Sequence, residues 1–398
     1  MARMRFVADR VASARQWLGS AESFVRSNQE AILIAVGIVV LLVAMWLVVR
    51  WIRRPMSARL LRVLAQREEV TVLMHPNPDP DAMACGMGIA LLAEHVGTRA
   101  TLQYPGQVRH QENRAFRTVL DVEMENITNV DDLASPDVVL VDHNHPRGFE
   151  GASRIQPYAV IDHHPGNGTG QAFTDKRTDY GACSTIVAEY FHELDSKMAN
   201  VPHIGDADLV VPPAVATGLL YGIQADTKHL TSGCSQADFE ASAYLYAGID
   251  EDSLDRIANP QVSVEVLEVK ARAIWQRDVR GSFAVSDIGT ISNIDAIPQA
   301  ADELIQLEGV TAVIVYGNRE GTLHFSGRSR DDRVHMGDVL EAVLADVPGA
   351  DGGGHARMGG GQMPVEDERE LGAGDAEAGL VTYANVTDRL FDAMNGDL

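Results

Sequence analysis

Cysteine and lysine are scarce in this sequence of 398 residues. The three cysteines, Cys85, Cys183 and Cys234, are scattered and form no CxxC pair, which excludes a disulfide framework and a zinc site built from cysteines. Lysine occurs only at positions 176, 197, 228 and 270, whereas 56 acidic residues give the chain a formal net charge of −23. This acidity argues against an enzyme that grips long duplex DNA, because such binding depends on neutralising phosphates over a broad basic surface. The acidity does not exclude a pocket that binds a short nucleotide.

Charge is distributed unevenly along the chain. Residues 1–67 contain eleven arginines, no lysine and three acids, so their net charge is +8 and the other 331 residues carry −31. A surface rich in aspartate and poor in lysine is typical of proteins from salt-loving archaea, where dense carboxylates retain water at high ionic strength. We therefore expect a halophilic source. An acidic cytoplasmic protein without a special habitat is the alternative.

One long stretch lacks charge altogether. Residues 31–49 read AILIAVGIVVLLVAMWLVV, and a helix of this length spans roughly 28 Å, close to the hydrocarbon thickness of a bilayer. The arginines that follow it place the C-terminal body on the cytoplasmic side. We therefore predict a single-pass protein of the cell membrane with its catalytic body in the cytoplasm. Its segments would be a juxtamembrane stretch at 1–30, the transmembrane helix at 31–49 and a basic juxtamembrane helix at 50–67.

After residue 70, short apolar runs alternate with helical patterns, which predicts a parallel sheet in an α/β fold. Ligands gather at the carboxyl ends of parallel strands, and three of these runs end directly in aspartate and histidine. Carboxylates and imidazoles without thiolates suit Mn²⁺, with Mg²⁺, Co²⁺ or Zn²⁺ as alternatives, so we predict two such ions. The runs are 70–74 before His75, Asp79 and Asp81, 138–141 before Asp142, and 159–161 before Asp162, His163 and His164.

A second set of β-type runs, between residues 283 and 325, predicts a small mixed sheet. Arg328 leaves one of these runs, and a guanidinium group binds phosphate through two parallel hydrogen bonds. Six glycines follow at 351–361, and glycine lets backbone amides approach an anion closely. Alone, this glycine run is typical of a flexible loop or linker. Together with the arginine it predicts a grip on the substrate, in a cleft between two domains.

In this order, the motifs resemble those of the DHH phosphoesterase superfamily. Four motifs of the DHH domain are matched by residues 75–82, Asp142, 162–164 and 222–227, the last of which contains Asp226. The DHH-associated C-terminal domain is echoed by Ser326-Gly-Arg328-Ser329 and Gly352-Gly-Gly-His355. The resemblance implies a Rossmann-like parallel-sheet domain followed by a smaller α/β domain with a mixed sheet. Its implied bounds are 68–240 for the DHH catalytic domain, 241–280 for a helical linker, 281–365 for the substrate-binding domain and 366–398 for an acidic tail.

The resemblance also implies a role for each motif residue. One ion would be held by His75, Asp79 and Asp226, the other by Asp81 and His163, and Asp142 would bridge both. Asp162 would orient the paired histidines, and His164 would lie behind the ligands or contact the scissile phosphate. The implied catalytic residues are Asp142, Asp162 and His164. The implied substrate contacts are Arg328, Ser329, Gly352, Gly353, Gly354 and His355. One departure is residues 143–145 (His-Asn-His), where many relatives have small hydroxyl residues.

A membrane-anchored, manganese-dependent phosphodiesterase is the function that the resemblance implies, with water activated by two metal ions as the nucleophile. The motifs are similar to those of oligoribonuclease/pAp phosphatases and of cyclic di-AMP phosphodiesterases. The candidate substrates are therefore short oligoribonucleotides, cyclic dinucleotides and pAp. A RecJ-type single-strand exonuclease and a non-catalytic membrane receptor for nucleotides are the alternatives. The implied partners are the small nucleotide and the lipid membrane, with no long duplex DNA. Whether the chain forms a homodimer stays open.

Overall fold

The computed structural model describes residues 55–108, 110–200, 209–331, 333–365 and 385–398, and the single positions 38, 41, 42 and 45. The predicted transmembrane helix at 31–49 therefore lies, apart from those four positions, outside the described residues. Within the described ranges, no helix is long and apolar enough to cross a bilayer. The chain forms two compact units. One comprises the chain up to Gln107 and Leu120–Leu254, and the other comprises Val108–Val119 and Asp255–Leu398.

The first unit is built around a six-stranded sheet in which every strand is parallel to its neighbours. Its strands are β1 (Glu69–Leu73), β2 (Arg99–Pro105), β3 (Glu125–Ile127), β4 (Val138–Val141), β5 (Ala159–Asp162) and β6 (Phe173–Lys176). Their order across the sheet is β3-β2-β1-β4-β5-β6, the order of doubly wound nucleotide-binding folds. The order reverses between β1 and β4, which opens a crevice at their carboxyl ends. The predicted α/β fold with a parallel sheet is confirmed.

Strand composition explains this sheet. All four residues of β4 are aliphatic and fully buried, as expected for a central strand covered on both faces. The covering helices of this unit are α1 (Met56–Leu64), α2 (Pro80–His95), α4 (Cys183–Glu193), α5 (Pro213–Asp226) and α6 (Gln236–Tyr246). A short parallel pair, β7 (Lys197–Met198) and β8 (Val210–Val211), and a boundary helix, α7 (Glu251–Ala258), complete the unit.

Helix α1 falls in the segment predicted as a basic juxtamembrane helix at 50–67, and it belongs to the body of the first unit. Leu60 and Leu64 are fully buried. The backbone N–H of Ser57 donates to Glu193 at the end of α4, and the hydroxyl of Tyr158 donates to the carbonyl of Val63. Burial of leucines at i and i+4 on one face makes α1 part of the core packing.

The second unit contains a mixed sheet in the order β13-β14-β12-β11-β10-β9. Its strands are β9 (Arg277–Arg280), β10 (Phe283–Thr290), β11 (Ala312–Arg319), β12 (Thr322–Ser329), β13 (Asp351–Gly354) and β14 (Met358–Pro364). β10 and β11 are parallel, and the other neighbouring pairs are antiparallel. The predicted mixed sheet is confirmed. The helices of this unit are α3 (Gln111–Val119), α8 (Val264–Trp275), α9 (Ala296–Leu304), α10 (Met336–Leu344) and α11 (Val386–Asn395).

Alternation along β11 supplies a core to both faces of this sheet. Ile314 and Tyr316 pack with α10 and α11 on one face, while Val313 and Val315 pack with α8 and α9 on the other. Successive side chains of a strand point to opposite faces, so one apolar run serves both layers. Helix α3 also belongs to this unit, although its sequence lies inside the catalytic domain predicted at 68–240.

Two parts of the second unit are ordered by contacts with distant segments. The glycine run, predicted as part of the grip on the substrate, forms the paired strands β13 and β14, with Gly353 opposite Gly360. The segment predicted as an acidic tail at 366–398 is described from residue 385 and contains α11, whose Phe391 is 2% exposed and packs into the core. In both parts, pairing with distant strands or burial of an apolar helix face overrides local composition.

Candidate metal centre

The carboxyl ends of β1, β4 and β5 bring the predicted ligands together at the crevice. His75 lies two residues after β1, Asp142 directly follows β4, and His163 directly follows β5. The backbone N–H of Asp142 donates to the carbonyl of Ile161 at 3.0 Å, which extends the β4–β5 pairing into the loop. Asp142 itself adopts a positive φ of 61°, a left-handed conformation that turns its side chain at the strand end.

Asp142 lies between two histidines. Its Oδ2 is 3.4 Å from His75 Nε2, and its Oδ1 is 3.3 Å from His163 Nε2. The carboxylate is 1% exposed, whereas both imidazoles reach the edge of the crevice. This arrangement suits a bridging carboxylate that offers one oxygen to each of two ions.

Two groups of potential ligands flank this carboxylate. His75, Asp79 and Asp142 form one, with His75 Nε2 3.4 Å from Asp79 Oδ2. Asp81, His163 and Asp226 form the other, with His163 Nε2 3.4 Å from Asp226 Oδ2 and 4.0 Å from Asp81 Oδ2. The resemblance had assigned Asp226 to the ion of His75 and Asp79, and the structure groups it with Asp81 and His163 instead.

Glycine at position 222 explains how Asp226 reaches the centre. A Cβ on Gly222 would lie 2.4 Å from Ser184 Oγ and 3.1 Å from the Cα of Asp81, so only glycine lets α5 pack this closely on α2 and α4. Asp226 lies one helical turn after Gly222, on the same face of α5. It is the last residue of that helix.

The donor set fits divalent cations. Asp142 Oδ1 and His163 Nε2 are buried and have no hydrogen-bond partner among the described residues, a costly state unless something else satisfies them. His75 Nε2 and His163 Nε2 each stand 3.3–3.4 Å from two carboxylate oxygens, and His163 Nε2 stands 4.0 Å from a third. Ligands on an octahedral ion with bonds near 2.1 Å stand about 3 Å apart. Carboxylates with imidazoles suit Mn²⁺, Mg²⁺ or Co²⁺.

Each inner imidazole is held in one orientation. His163 Nδ1 donates to the backbone carbonyl of Tyr180 at 3.1 Å, and His75 Nδ1 donates to the carbonyl of Pro76 at 2.9 Å. A carbonyl only accepts, so both Nδ1 atoms carry a proton and both Nε2 atoms face the centre. Such outer hydrogen bonds fix the tautomer of metal-binding histidines.

Negative charge is in excess at this site. Burial raises the pKa of Asp81 and of Asp226, and the nearby charge of Asp142 raises both further. Burial lowers the pKa of His163, but the carboxylates of Asp142 and Asp226 beside its Nε2 outweigh this and raise it to about 12. The carboxylates therefore draw protons onto the imidazole, and divalent cations at the same place would satisfy them instead.

Asp162 lies outside the ligand groups, whereas His164 forms a third possible group with Asp142 and His163. Asp162 is fully buried, and its Oδ1 accepts hydrogen bonds from both the backbone N–H and Nδ1 of His164, each at 3.0 Å. The side chain of His164 is 51% exposed, and its Nδ1 lies 3.5 Å from Asp142 Oδ1. Its Nε2 is thereby left free to meet a ligand in the crevice.

Sequence reasoning missed the groups that hold this centre in place. The carbonyl of Tyr180 orients His163, and Arg177 fixes the loop of Tyr180 by bonding to its hydroxyl, to Asp175 and to Glu189. His143 is 2% exposed, and its Nδ1 donates to the carbonyl of Val141. No spacing in the sequence marks these residues, since their partners are backbone carbonyls or distant side chains.

The predicted substrate contacts lie in the second unit. Arg328 on β12 is paired with Asp302 on α9, with Nε 2.5 Å from Oδ1. Ser329 is 6% exposed, and its hydroxyl donates to the backbone carbonyl of Asp331. Gly352, Gly353 and Gly354 form β13, and a cavity of about 530 Å³ opens beside them, lined by Asp351, Gly352, Gly353, Gly360, Gly361 and Gln362. His355, in the turn after β13, is exposed.

Two family models match this chain. Residues 69–223 match the N-terminal domain of the DHH family, and residues 280–373 match the DHHA1 domain. Over these two ranges the chain is similar to the DHH family. The first match covers the strands that carry five of the six predicted metal ligands, and the second covers the mixed sheet and its glycine strands.

This chain is similar in sequence to several other proteins. The chain is 33% identical over 301 residues to the uncharacterized protein MJ1633 of Methanocaldococcus jannaschii. The matched region covers 75% of this chain and 59% of that protein. It is 26% identical over 353 residues to the cyclic-di-AMP phosphodiesterase GdpP of Geobacillus thermodenitrificans, covering 82% of this chain and 49% of that protein. The chain thus spans about half to three fifths of the length of these relatives.

Among solved structures, an exopolyphosphatase-related protein from Bacteroides fragilis shares the fold. It superposes with a TM-score of 0.57 over 85% of this chain and 96% of that one, at 14% sequence identity. At this identity the likeness concerns the fold alone.

Proposed function

We propose that this protein is a two-metal phosphodiesterase that hydrolyses small nucleotides, with cyclic di-AMP as the first candidate substrate. The observation that carries the proposal is the buried Asp142 carboxylate, with His75 and Asp79 on one side and His163, Asp81 and Asp226 on the other. The relatives named as cyclic-di-AMP phosphodiesterases support the substrate class. Short oligoribonucleotides and pAp are the other candidates.

The ligand set divides the chemistry among the chain's own residues. Two divalent ions, with Mn²⁺ as the first choice, would when bound activate a water molecule and neutralise charge on the phosphoryl group. The first ligand group would hold one ion and the second the other, with Asp142 shared. Asp162 holds the Nδ1 proton of His164, so that His164 Nε2 is presented towards the crevice. That atom would contact a phosphate oxygen during cleavage.

The second unit would supply the grip on the nucleotide. Arg328 keeps two further hydrogen bonds, to Ser326 Oγ and to the carbonyl of Gly327, which hold its guanidinium plane in one orientation. Such a group suits a phosphate oxygen. The glycines of β13 and β14 line the neighbouring cavity and have no side chains there. This suits close approach of a nucleotide to the backbone.

A direct assay tests this function. Full-length protein with Mn²⁺ is incubated separately with cyclic di-AMP, pApA, pAp and longer RNA, at low and at molar salt, and products are separated by chromatography. Conversion of cyclic di-AMP to pApA or AMP, abolished by EDTA and by Asp142→Asn, is expected. Tight nucleotide binding without turnover would instead indicate a receptor, and preferential digestion of long single strands would indicate an exonuclease.

We also propose that residues 31–49 anchor the protein in the membrane with the body in the cytoplasm. The support is the absence of charge over nineteen residues and the arginines that follow them. The full chain should remain in the membrane pellet after alkaline carbonate extraction, while a variant with two arginines in the span, Val39→Arg with Val43→Arg, should be released. Release of the unmodified chain would contradict the anchor.

A further inference from the structure

The loop after β4 and the loop after β5 are interlocked by Asn144. Its side-chain nitrogen donates to Asp162 Oδ2 at 2.5 Å, and it lies 3.5 and 3.4 Å from the backbone carbonyls of His164 and Pro165. Asn144 is 6% exposed, so water cannot easily replace these partners. Losing the amide would leave a buried carboxylate oxygen without a donor.

Two glycines of the second loop make this contact possible. A Cβ on Gly168 would lie 1.7 Å from the backbone oxygen of Asn144, and a Cβ on Gly166 would lie 2.5 Å from its side-chain oxygen. Gly166 also has a φ of +143°, which residues with a side chain rarely adopt. The loop of residues 164–168 is therefore shaped to receive Asn144.

The contact continues through Asp162 to His164. One carboxylate oxygen of Asp162 takes the amide of Asn144, and the other takes the backbone N–H and Nδ1–H of His164. With both oxygens engaged, the carboxylate cannot rotate without losing a buried hydrogen bond. Because Nδ1 of His164 holds a proton, the neutral form of this imidazole has its lone pair on Nε2.

We propose that Asn144 is a positioning residue for His164, acting through Asp162 to fix the tautomer and direction of that imidazole. Its effect on turnover rests on the proposed phosphodiesterase function, whereas its effect on the imidazole does not. Asn144 contacts none of the six predicted metal ligands in the hydrogen bonds of the described residues. Its removal should therefore disturb His164 and leave the affinity for Mn²⁺ largely unchanged.

Asn167 provides a matched control. It belongs to the same pair of loops, where its side-chain oxygen lies 3.0 Å from His145 Nε2, but it is exposed and lacks any contact with Asp162 among the described hydrogen bonds. Asn144→Ala and Asn167→Ala thus each remove one amide that links the loops. Only the first breaks the path to His164.

The test combines three measurements on the full chain. Imidazole ¹⁵N NMR without metal, with His164→Gln used to assign the signals, should show one Nδ1–H tautomer in the unmodified protein and in Asn167→Ala, and a mixture in Asn144→Ala. Mn²⁺ affinity, measured by electron paramagnetic resonance, should change less than about threefold in both variants. kcat should fall about 10- to 100-fold in Asn144→Ala only, the loss typical of removing an outer hydrogen-bond partner, while KM stays nearly constant.

An unchanged His164 tautomer in Asn144→Ala would overturn the proposal, as would an equal shift in Asn167→Ala. If Asn144→Ala fails to fold, Asn144→Ser takes its place, because its hydroxyl retains one donor and should give a smaller shift in the same direction. A shifted tautomer in a protein without phosphodiesterase activity would support the positioning role and refute the proposed function. Normal activity with no shift would refute the positioning role alone.

Discussion

The buried carboxylate of Asp81 accepts a hydrogen bond of 2.7 Å from the backbone N–H of Cys183, 102 residues later in the chain. Its other oxygen accepts from the N–H of Ser184 at 2.8 Å. These are the first N–H groups of α4, whose N-cap residue, Ala182, has no side-chain acceptor. A predicted metal ligand on α2 therefore caps a second helix, and the centre is joined to the packing of its unit.

This double role predicts the behaviour of Asp81→Ala. Two buried N–H groups would lose their acceptor, so the free energy of unfolding should fall by about 1–3 kcal/mol in EDTA. One Mn²⁺ should also be lost. Denaturant unfolding and metal titration by calorimetry measure the two effects. Asp226→Ala is the control, because Asp226 belongs to the same ligand group without capping a helix. It should lose the ion and keep its stability in EDTA, and equal destabilisation of both variants would contradict the capping role.

Asp142→Asn should remove the bridge between the ions with little effect on the fold. Asparagine tolerates the positive φ of this position, whereas alanine would add about 1–2 kcal/mol of backbone strain. Removing one preorganised group typically costs about 100-fold or more in kcat, and we expect at least that loss for cyclic di-AMP. Near-normal turnover, measured with saturating Mn²⁺, would refute the two-metal assignment.

Arg328→Lys should weaken substrate binding more than it slows chemistry. Lysine cannot reproduce the planar pair of donors, and a charged hydrogen bond contributes about 1.5–3 kcal/mol. KM should therefore rise about tenfold or more, with Mn²⁺ binding unchanged. Arg333→Lys is the matched control, since Arg333 is exposed and paired with Asp331. An equal KM for both variants would remove Arg328 from the substrate grip.

Phe391→Ala should show that the end of the chain belongs to the core of the second unit. Phe391 is 2% exposed, and the guanidinium of Arg280 lies 4.2 Å above its ring. Truncating a buried phenylalanine costs about 3–5 kcal/mol, so thermal unfolding of this unit should shift downward by many degrees. Asp392→Ala, an exposed change on the same helix, should leave the transition in place. Similar melting of both variants would contradict the packing of α11.

Ligand convergence was predictable because it follows from strand geometry. Apolar runs that end in Asp142 and in Asp162 must place these residues at one edge once the strands are parallel. The partner of Asp226 was not predictable in the same way. It depends on how closely α5 packs on α2, and that distance is set by the missing side chain of Gly222.

The strand pairing of the glycine run could not be predicted from its local composition. Local composition favoured a flexible loop, but residues 351–354 and 358–364 form paired strands. Pairing along β12 decides this, since Gly359 and Gly360 lie opposite Gly327 and Ser326. Long-range hydrogen bonds of this kind leave no periodic signal in the glycines themselves.

By itself, the sequence determined which chemical groups are available: carboxylates and imidazoles that follow predicted strands in a set order, and few thiols. It also predicted an apolar anchor. Tertiary structure alone decided which of these groups lie together, which imidazole nitrogen faces the centre and which residue caps which helix. The reason is that residue types and periods are local properties of the chain. Distances such as those from Asp81 to Cys183 or from Asn144 to Asp162 arise only when distant segments pack.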